Sequence, residues 1–195
     1  MSASKLPYQL NISDKFSEEQ LLKGLYIVII HATRKPPHIG IIIDKHYHSL
    51  TIKGHEINIP VEVLIRNTSQ RKIPTLFVKI KKHPIFSVGY LSELFISNVK
   101  QFPIVDTGLA TCLSPVKLFF DDVFNIPMNK VNYLYELLPL LESEELIEST
   151  SSLFVDEKNY QLPIYTFSEI NEGIENAKIE RKYISPVLSN GQFSK

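Results

Sequence analysis

The residue with the clearest chemical potential is Cys112, the single cysteine among 195 residues. One thiol excludes an internal disulfide and any CxxC metal or redox motif. Because proline is tolerated in the first turn of a helix, Pro115 predicts a helix that begins between Thr111 and Ser114. Cys112 is then predicted at a helix N-terminus, where unpaired backbone N–H groups and the positive end of the dipole stabilise a thiolate. The alternative interpretation is a small buried hydrophobic residue without a chemical role.

A nucleophilic thiol needs a general base, and among the six histidines His38 has the context for that role. Pro36 and Pro37 hold the preceding chain extended and lack N–H donors, so they predict a loop that leads into a strand beginning at His38. Gly40 follows two residues later and leaves room beside the imidazole. The alternative interpretation is a half-exposed polar residue at the entrance of a strand.

The strand that starts at His38 is predicted to form a hairpin with the strand that follows it. The pair Asp44-Lys45 is suited to a two-residue turn between the two strands. Such a turn pairs Ile43 with His46, and counting back along the ladder sets His38 opposite Thr51. Thr51 is therefore predicted to orient the imidazole of His38.

His48 is the alternative orienting residue. A three-residue turn would place His48 on the face of His38, and it would then reach the ring only across a bulge. His46 and His48 also share a face, and together with His38 or His55 they could supply imidazole ligands to zinc. No carboxylate or second thiol stands at ligand spacing, so the prediction is that the chain has no metal site.

The remaining pattern predicts a single α+β domain over residues 1–195, with an antiparallel sheet packed on helices. Leu25 to His31 is apolar on both faces, which is typical of a central strand. Other elements are predicted in this order: a helix over Ser17–Lys23, strands over Ile57–Ile65 and Thr75–Ile80, a helix from Ser87, a helix from about Val131 to Leu146, a strand over Leu162–Phe167 and a helix over Ser168–Lys178.

The composition argues against several classes of protein. The 21 basic residues balance 21 acidic ones, so the net charge gives no reason to expect nucleic-acid binding. Neither GxGxxG nor GxxxxGK[ST] occurs, and no cofactor is predicted. The N-terminus is polar, and the longest apolar run, Leu25 to Ile30, is far shorter than the roughly 20 residues that a membrane span requires. We therefore expect a soluble, cytoplasmic chain without a membrane span.

The charges are nevertheless unevenly distributed along the chain. Only basic residues carry charge from Arg66 to Lys82, and only acidic residues from Glu136 to Glu157. Two solvated faces that attract each other are the favoured interpretation. The alternative is a basic rim that attracts an anionic substrate or partner.

Two short motifs resemble those of papain-like cysteine amidases related to the NlpC-type cell-wall peptidases. Pro37 to Ile43, PHIGIII, resembles their histidine strand, and Thr111 to Lys117, TCLSPVK, resembles the helix that begins at their nucleophile. The histidine precedes the cysteine, which is the reverse of papain and similar to the circularly permuted branch that includes lecithin retinol acyltransferase-like proteins. The resemblance spans Gly24 to Leu141 and leaves Glu148 to Lys195 as a C-terminal addition without an assigned role.

The resemblance implies a permuted papain-like fold and a thiol-dependent hydrolase or acyltransferase that acts on a peptide-like amide or an ester. By position, Cys112 would attack the carbonyl, and its backbone N–H would help form an oxyanion hole. His38 would act first as general base and then as acid for the leaving group. A threonine such as Thr51 orients less strongly than the histidine or asparagine usual in such sites. The alternative is therefore a catalytically inactive scaffold that serves as a binding module for a partner that the sequence does not identify.

Overall fold

The computed structural model describes residues 7–188, with side chains as far as Ile179. In this part of the chain the elements follow in this order: β1 (Gln9–Asn11), α1 (Glu18–Leu21), β2 (Leu25–Ile30), β3 (His38–Ile43), β4 (His46–Thr51), β5 (Gly54–Pro60), α2 (Val61–Gln70), β6 (Thr75–Ile80), α3 (Val88–Lys100), α4 (Leu113–Phe124), α5 (Leu134–Ser143), β7 (Ile147–Leu153), β8 (Asn159–Gln161) and α6 (Phe167–Leu188).

Six of the strands form one antiparallel sheet in the order β5-β4-β3-β2-β6-β7, which confirms the predicted α+β class with an antiparallel sheet. The predicted hairpin register is also confirmed, because Ile43 lies opposite His46. Both turn residues, Asp44 and Lys45, have positive φ angles of 45° and 62°. Positive φ at both central residues is what a two-residue hairpin turn needs if its twist is to match that of the strands.

Helices cover both faces of the sheet. Alternate residues of β2 such as Ile27 and Ile29 point to one face, where α3, α4 and α5 build the larger apolar core. Tyr26 and Val28 point to the other face, where they pack with residues of α1 and α2. Because both sides of β2 are buried, its sequence is apolar throughout rather than alternating.

The predicted strand over Ile57–Ile65 is wrong beyond Pro60. Pro60 ends β5, and the chain turns directly into helix α2. Four residues with helical spacing form the buried face of α2: Val61, Leu64, Ile65 and Thr68. This period of 3.6 residues outweighs the strand propensity of the valines and isoleucines.

Strand β7 was not predicted, because Ser and Thr fill most of its positions. It nevertheless pairs with β6 along its length, and Lys79 of β6 forms an ion pair of 2.6 Å with Glu148 of β7. The basic and acidic stretches of the sequence therefore meet at this pair of strands.

The C-terminal region packs on the rest of the chain. The predicted strand over Leu162–Phe167 is not formed. The strand in this region is β8, which ends immediately before Leu162 and pairs with β1. The predicted helix over Ser168–Lys178 lies within the longer α6, whose residues Ile170 and Ile174 join the larger core. None of the helices in the described residues is long and apolar enough to cross a membrane.

Candidate functional site

His38 and Cys112 line the same cavity, which has a volume of about 830 Å³. Its walls come from the Pro-Pro loop, α2, the start of α4, α6, and residues of β3 and β4 that belong to the cores on both faces of the sheet, such as Ile39 and Tyr47. The two residues that the sequence singles out as nucleophile and base are therefore open to one shared space, and both are partly exposed.

Cys112 immediately precedes α4, whose first residue, Leu113, lies within the predicted window. The neighbouring backbone is held by side chains, since the Leu113 N–H donates to Thr111 Oγ1 at 3.2 Å and the Thr111 N–H donates to Ser114 Oγ at 3.0 Å. Pro115 is buried in the first turn, as its position predicts. The thiol is thus fixed at the start of a helix.

The pKa of Cys112 is raised, although the helix N-terminus alone predicts a lowered value. Burial is the largest cause, and hydrogen bonding from the backbone of Ile39, Cys112 and Leu113 opposes it without cancelling it. Desolvation of the anion therefore outweighs the helix terminus. Ile39, the residue after His38, is therefore close enough to the thiol to affect its pKa.

His38 begins a chain of two side-chain hydrogen bonds. Its Nε2 lies 3.3 Å from Ser49 Oγ, and the Ser49 hydroxyl lies 3.0 Å from Glu56 Oε2. A carboxylate can only accept, so the Ser49 proton points to Glu56 and the Ser49 oxygen accepts from the ring. This assigns the proton of the neutral imidazole to Nε2 and leaves Nδ1 as its acceptor.

Thr51 does not contact His38 in this arrangement. Its hydroxyl donates to the Gly54 carbonyl and accepts from the Lys53 N–H, both at 3.0 Å, and so closes the β4–β5 turn. The residue-by-residue pairing of β3 with β4 ends at Ile41 and His48, short of His38. The imidazole therefore meets Ser49, not the Thr51 that a continuous ladder would set opposite it.

Glu56 is a site residue that the sequence reasoning missed. It lies directly opposite Ser49 in the β4–β5 pairing, which explains how its carboxylate reaches the hydroxyl. The signal available in the sequence was the alternating segment Gly54–Pro60, GHEINIP, which is typical of a half-buried strand. Its side chains could be placed only with the register of β5 known.

Gly40 has a different role from the one predicted. A Cβ at this position would lie 2.4 Å from Tyr47 Cε2, so the space that Gly40 leaves is filled by the Tyr47 ring rather than left open beside the imidazole. The Tyr47 hydroxyl is buried in the same cavity wall, where Ser49 interacts with it. Burial raises its pKa, so it stays protonated and can donate.

His48 points to the opposite face of the sheet. Its Nδ1 accepts from the Asn58 N–H at 3.2 Å, and its ring meets the edge of Phe95 with the centroids 6.2 Å apart. It therefore does not orient His38.

His55 lies elsewhere, with Nε2 at 2.6 Å from the Phe102 carbonyl. Throughout the described residues, no three His, Cys, Asp or Glu side chains form a group that could hold a metal ion.

The candidate base is neutral at pH 7. Burial, and to a lesser degree the nearby His31, lower the pKa of His38 to about 4. The raised pKa of Cys112 keeps the thiol protonated at the same pH. The resting site is thus a neutral thiol and a neutral imidazole, not a thiolate–imidazolium pair.

Comparison of the chain with protein-family models, with curated proteins and with solved structures gives no significant match.

Proposed function

We propose that the protein is a thiol-dependent hydrolase or acyltransferase that acts on a peptide-like amide or an ester, with a permuted papain-like arrangement of its site. The observation that carries the proposal is the shared cavity, with the Cys112 thiol beside the backbone of Ile39 and the adjacent His38 joined to Ser49 and Glu56. A nucleophile, a base and a group that orients the base are the parts that acyl transfer through a thiol requires.

In the proposed reaction, the Cys112 sulfur attacks the carbonyl carbon while its proton passes to Nδ1 of His38. The resulting imidazolium keeps its Nε2–H on Ser49, and the carboxylate of Glu56 stabilises the new positive charge through that hydroxyl. Because both groups are neutral at rest, the proton moves during the attack rather than before it.

The tetrahedral intermediate then collapses to an acyl-enzyme. Its oxyanion is stabilised by the Cys112 backbone N–H, and the Tyr47 hydroxyl in the cavity wall is a further donor. The bond from the carbonyl carbon to the leaving nitrogen or oxygen breaks as His38 returns its proton to that atom. Water, or a second acceptor in a transferase, attacks the thioester and releases Cys112 with its proton restored.

One observation favours a second candidate, a catalytically inactive scaffold that binds a partner. Burial raises the pKa of Cys112 and lowers that of His38 to about 4, and both shifts oppose formation of a thiolate at neutral pH. The two candidates differ in whether the thiol becomes acylated.

The test is acylation of Cys112 by p-nitrophenyl acetate at pH 7, followed by release of p-nitrophenol and by the mass of the intact protein. An enzyme gives a burst of p-nitrophenol and a single acetyl adduct on Cys112, and Cys112→Ala gives neither. Labelling with iodoacetamide should be slower in His38→Ala, because the base that removes the thiol proton is lost. A thiol that stays unmodified by both reagents at pH 7 would refute the catalytic proposal and support the scaffold.

A further inference from the structure

The charged side chains that line the cavity are unequally distributed. Arg34, Lys35 and Arg71 are basic, and the acidic residue is Glu56, which is already bonded to Ser49. Glu56 belongs to the catalytic chain of hydrogen bonds, whereas the three basic residues come from the Pro-Pro loop and the end of α2. This end of the cavity is therefore positively charged.

Backbone hydrogen bonds hold the chain around Arg34 beside the chain that follows Arg71. The Arg34 N–H donates to the His31 carbonyl at 2.8 Å, which closes the turn before the Pro-Pro loop. The next link is the Ala32 N–H, which donates to the Pro74 carbonyl at 2.9 Å and so joins this turn to the segment that follows Arg71. The backbone therefore fixes Arg34 and Arg71 near each other.

The pKa of His31 reflects the nearness of both arginines. Burial, followed by the charges of Arg34 and Arg71, lowers the pKa of His31. Both guanidinium groups thus act on one imidazole in the cavity wall.

In the described residues the two arginines, like most of the basic side chains, have no carboxylate within ion-pair distance. Lys79 and Lys178 form ion pairs with carboxylates, each as short as 2.6 Å, and Lys35 interacts electrostatically with Glu169. Two guanidinium groups that line one cavity and act on the same imidazole suit an anion that accepts several hydrogen bonds.

We propose that Arg34 and Arg71 form a subsite that binds the carboxylate or phosphate of an anionic acyl substrate whose reacting carbonyl lies at Cys112. The inference that the bound anion is a substrate rests on the proposed function. Binding of an anion at the two arginines does not require catalysis. The cavity is also lined by apolar side chains such as Ile39, Ile73 and Leu113. An apolar segment between the anionic group and the carbonyl therefore fits the cavity.

The binding test is calorimetric titration of the full chain carrying Cys112→Ala, with octyl phosphate, octanoate, octanol and octyltrimethylammonium as probes. We expect at least one anion to bind, its affinity to fall with added salt, and octanol and the cation to bind at least tenfold more weakly. Octyl phosphate against octanoate distinguishes phosphate from carboxylate. Arg34→Gln and Arg71→Gln should each weaken anion binding about tenfold, and Arg71→Lys should weaken it less.

The matched control is Arg66→Gln, because Arg66 is an exposed residue of the same helix that does not line the cavity. It should leave anion binding unchanged. Equal binding of octanol and the anions, or an equal loss in Arg66→Gln and Arg71→Gln, would overturn the subsite. Unfolding midpoints measured for each variant identify a loss that comes from misfolding, and Arg71→Lys then carries the test.

Measurements of ester turnover distinguish failure of the anion subsite from failure of the proposed function. The p-nitrophenyl monoester of suberic acid carries a free carboxylate, and p-nitrophenyl octanoate is its neutral counterpart. We expect a KM about tenfold lower for the anionic ester, and loss of that difference in Arg71→Gln. Anion binding without turnover of either ester would support the subsite and refute the enzyme. Turnover with equal KM values and no anion binding would refute the subsite alone.

Discussion

His38 and His48 lie on neighbouring strands of one sheet and face opposite sides of it. Burial is the main cause that lowers the pKa of each to about 4. The difference lies in their partners: His38 bonds to the Ser49 hydroxyl and lines a cavity together with Cys112, whereas His48 bonds to the Asn58 N–H and packs on Phe95. A perturbed pKa therefore does not distinguish the proposed catalytic histidine from the other one here, whereas the hydrogen-bond partners and the access to the cavity do.

The two rings also differ in how completely their nitrogens are bonded. Because Nδ1 of His48 accepts from a backbone N–H, its Nε2 carries the proton, and that N–H is buried without a partner among the described residues. The accepted hydrogen bond holds Asn58, which has a positive φ of 56°, next to an irregularity in the β4–β5 pairing. We interpret His48 as a residue that stabilises a local backbone shape.

The largest expected effect is on activity at the His38 face. His38→Ala should lower turnover of p-nitrophenyl esters by about 10²- to 10⁴-fold, because a positioned general base is lost. The comparison variant is His48→Asn, whose side-chain oxygen can still accept from Asn58 and which should retain most of the activity. Similar losses of turnover in the two variants would contradict the assignment of different roles.

The second effect is on stability at the His48 face. His48→Ala should lower the free energy of unfolding by about 2–4 kcal/mol, because it creates a cavity beside Phe95 and leaves the Asn58 N–H without an acceptor. Urea denaturation followed by circular dichroism measures the change. His48→Asn should recover part of the loss, and a His48→Ala protein as stable as the wild type would show that the buried contacts of this ring contribute nothing net.

The face that carries His38 is also sensitive at Gly40. Gly40→Ala should lower the free energy of unfolding by about 1–3 kcal/mol, since the new methyl group overlaps the buried Tyr47 ring. Gly89→Ala in α3 is the control, because a Cβ there has no neighbour within 4 Å and alanine favours the helix. Crystal structures or amide exchange at Tyr47 would show whether the ring moves. Equal stability in both alanine variants would mean that the ring shifts without cost.

Sequence patterns predict the features of this region that depend on neighbouring residues. They do not predict which side chains of separate strands come into contact. The two-residue turn at Asp44-Lys45 sets the register of Ile43 with His46, and Pro115 locates the start of the helix after Cys112. Both depend only on neighbouring residues. The partnership of Ser49 with His38 depends on where the β3–β4 ladder ends, and that end point is set by packing across the whole sheet.

The same limit applies to Glu56 and to α2. Glu56 reaches Ser49 only because β5 returns along β4, whereas the sequence pattern predicts one strand from Ile57 to Ile65. Pro60 is unfavourable in a strand, and the helical spacing of the apolar residues after it outweighs their β-branched composition. A helix of this length forms because its apolar face packs against the sheet, which is tertiary information.

The last expected effect is a difference in how the free energy of unfolding depends on pH, which measures the titration of the buried histidines. The pKa of His48 is about 4 in the folded protein and that of an unfolded histidine is about 6.5, so between these values the unfolded chain binds more protons. The contribution of His48 to stability is therefore complete above pH 6.5 and is lost as the pH falls towards 4. Its slope reaches at most about 1.4 kcal/mol per pH unit.

Replacing His48 with asparagine removes that titration while keeping the acceptor for Asn58. The free energy of unfolding of His48→Asn should then fall less steeply from pH 6.5 to pH 4 than that of the wild type, and the two curves should run parallel from pH 7 to pH 8. His38→Ala should flatten the curve by a similar amount, because burial lowers the pKa of His38 to about 4 as well. Parallel curves across the whole range would mean that His48 is protonated equally in both states, and its burial would then have to be relieved by water reaching the ring.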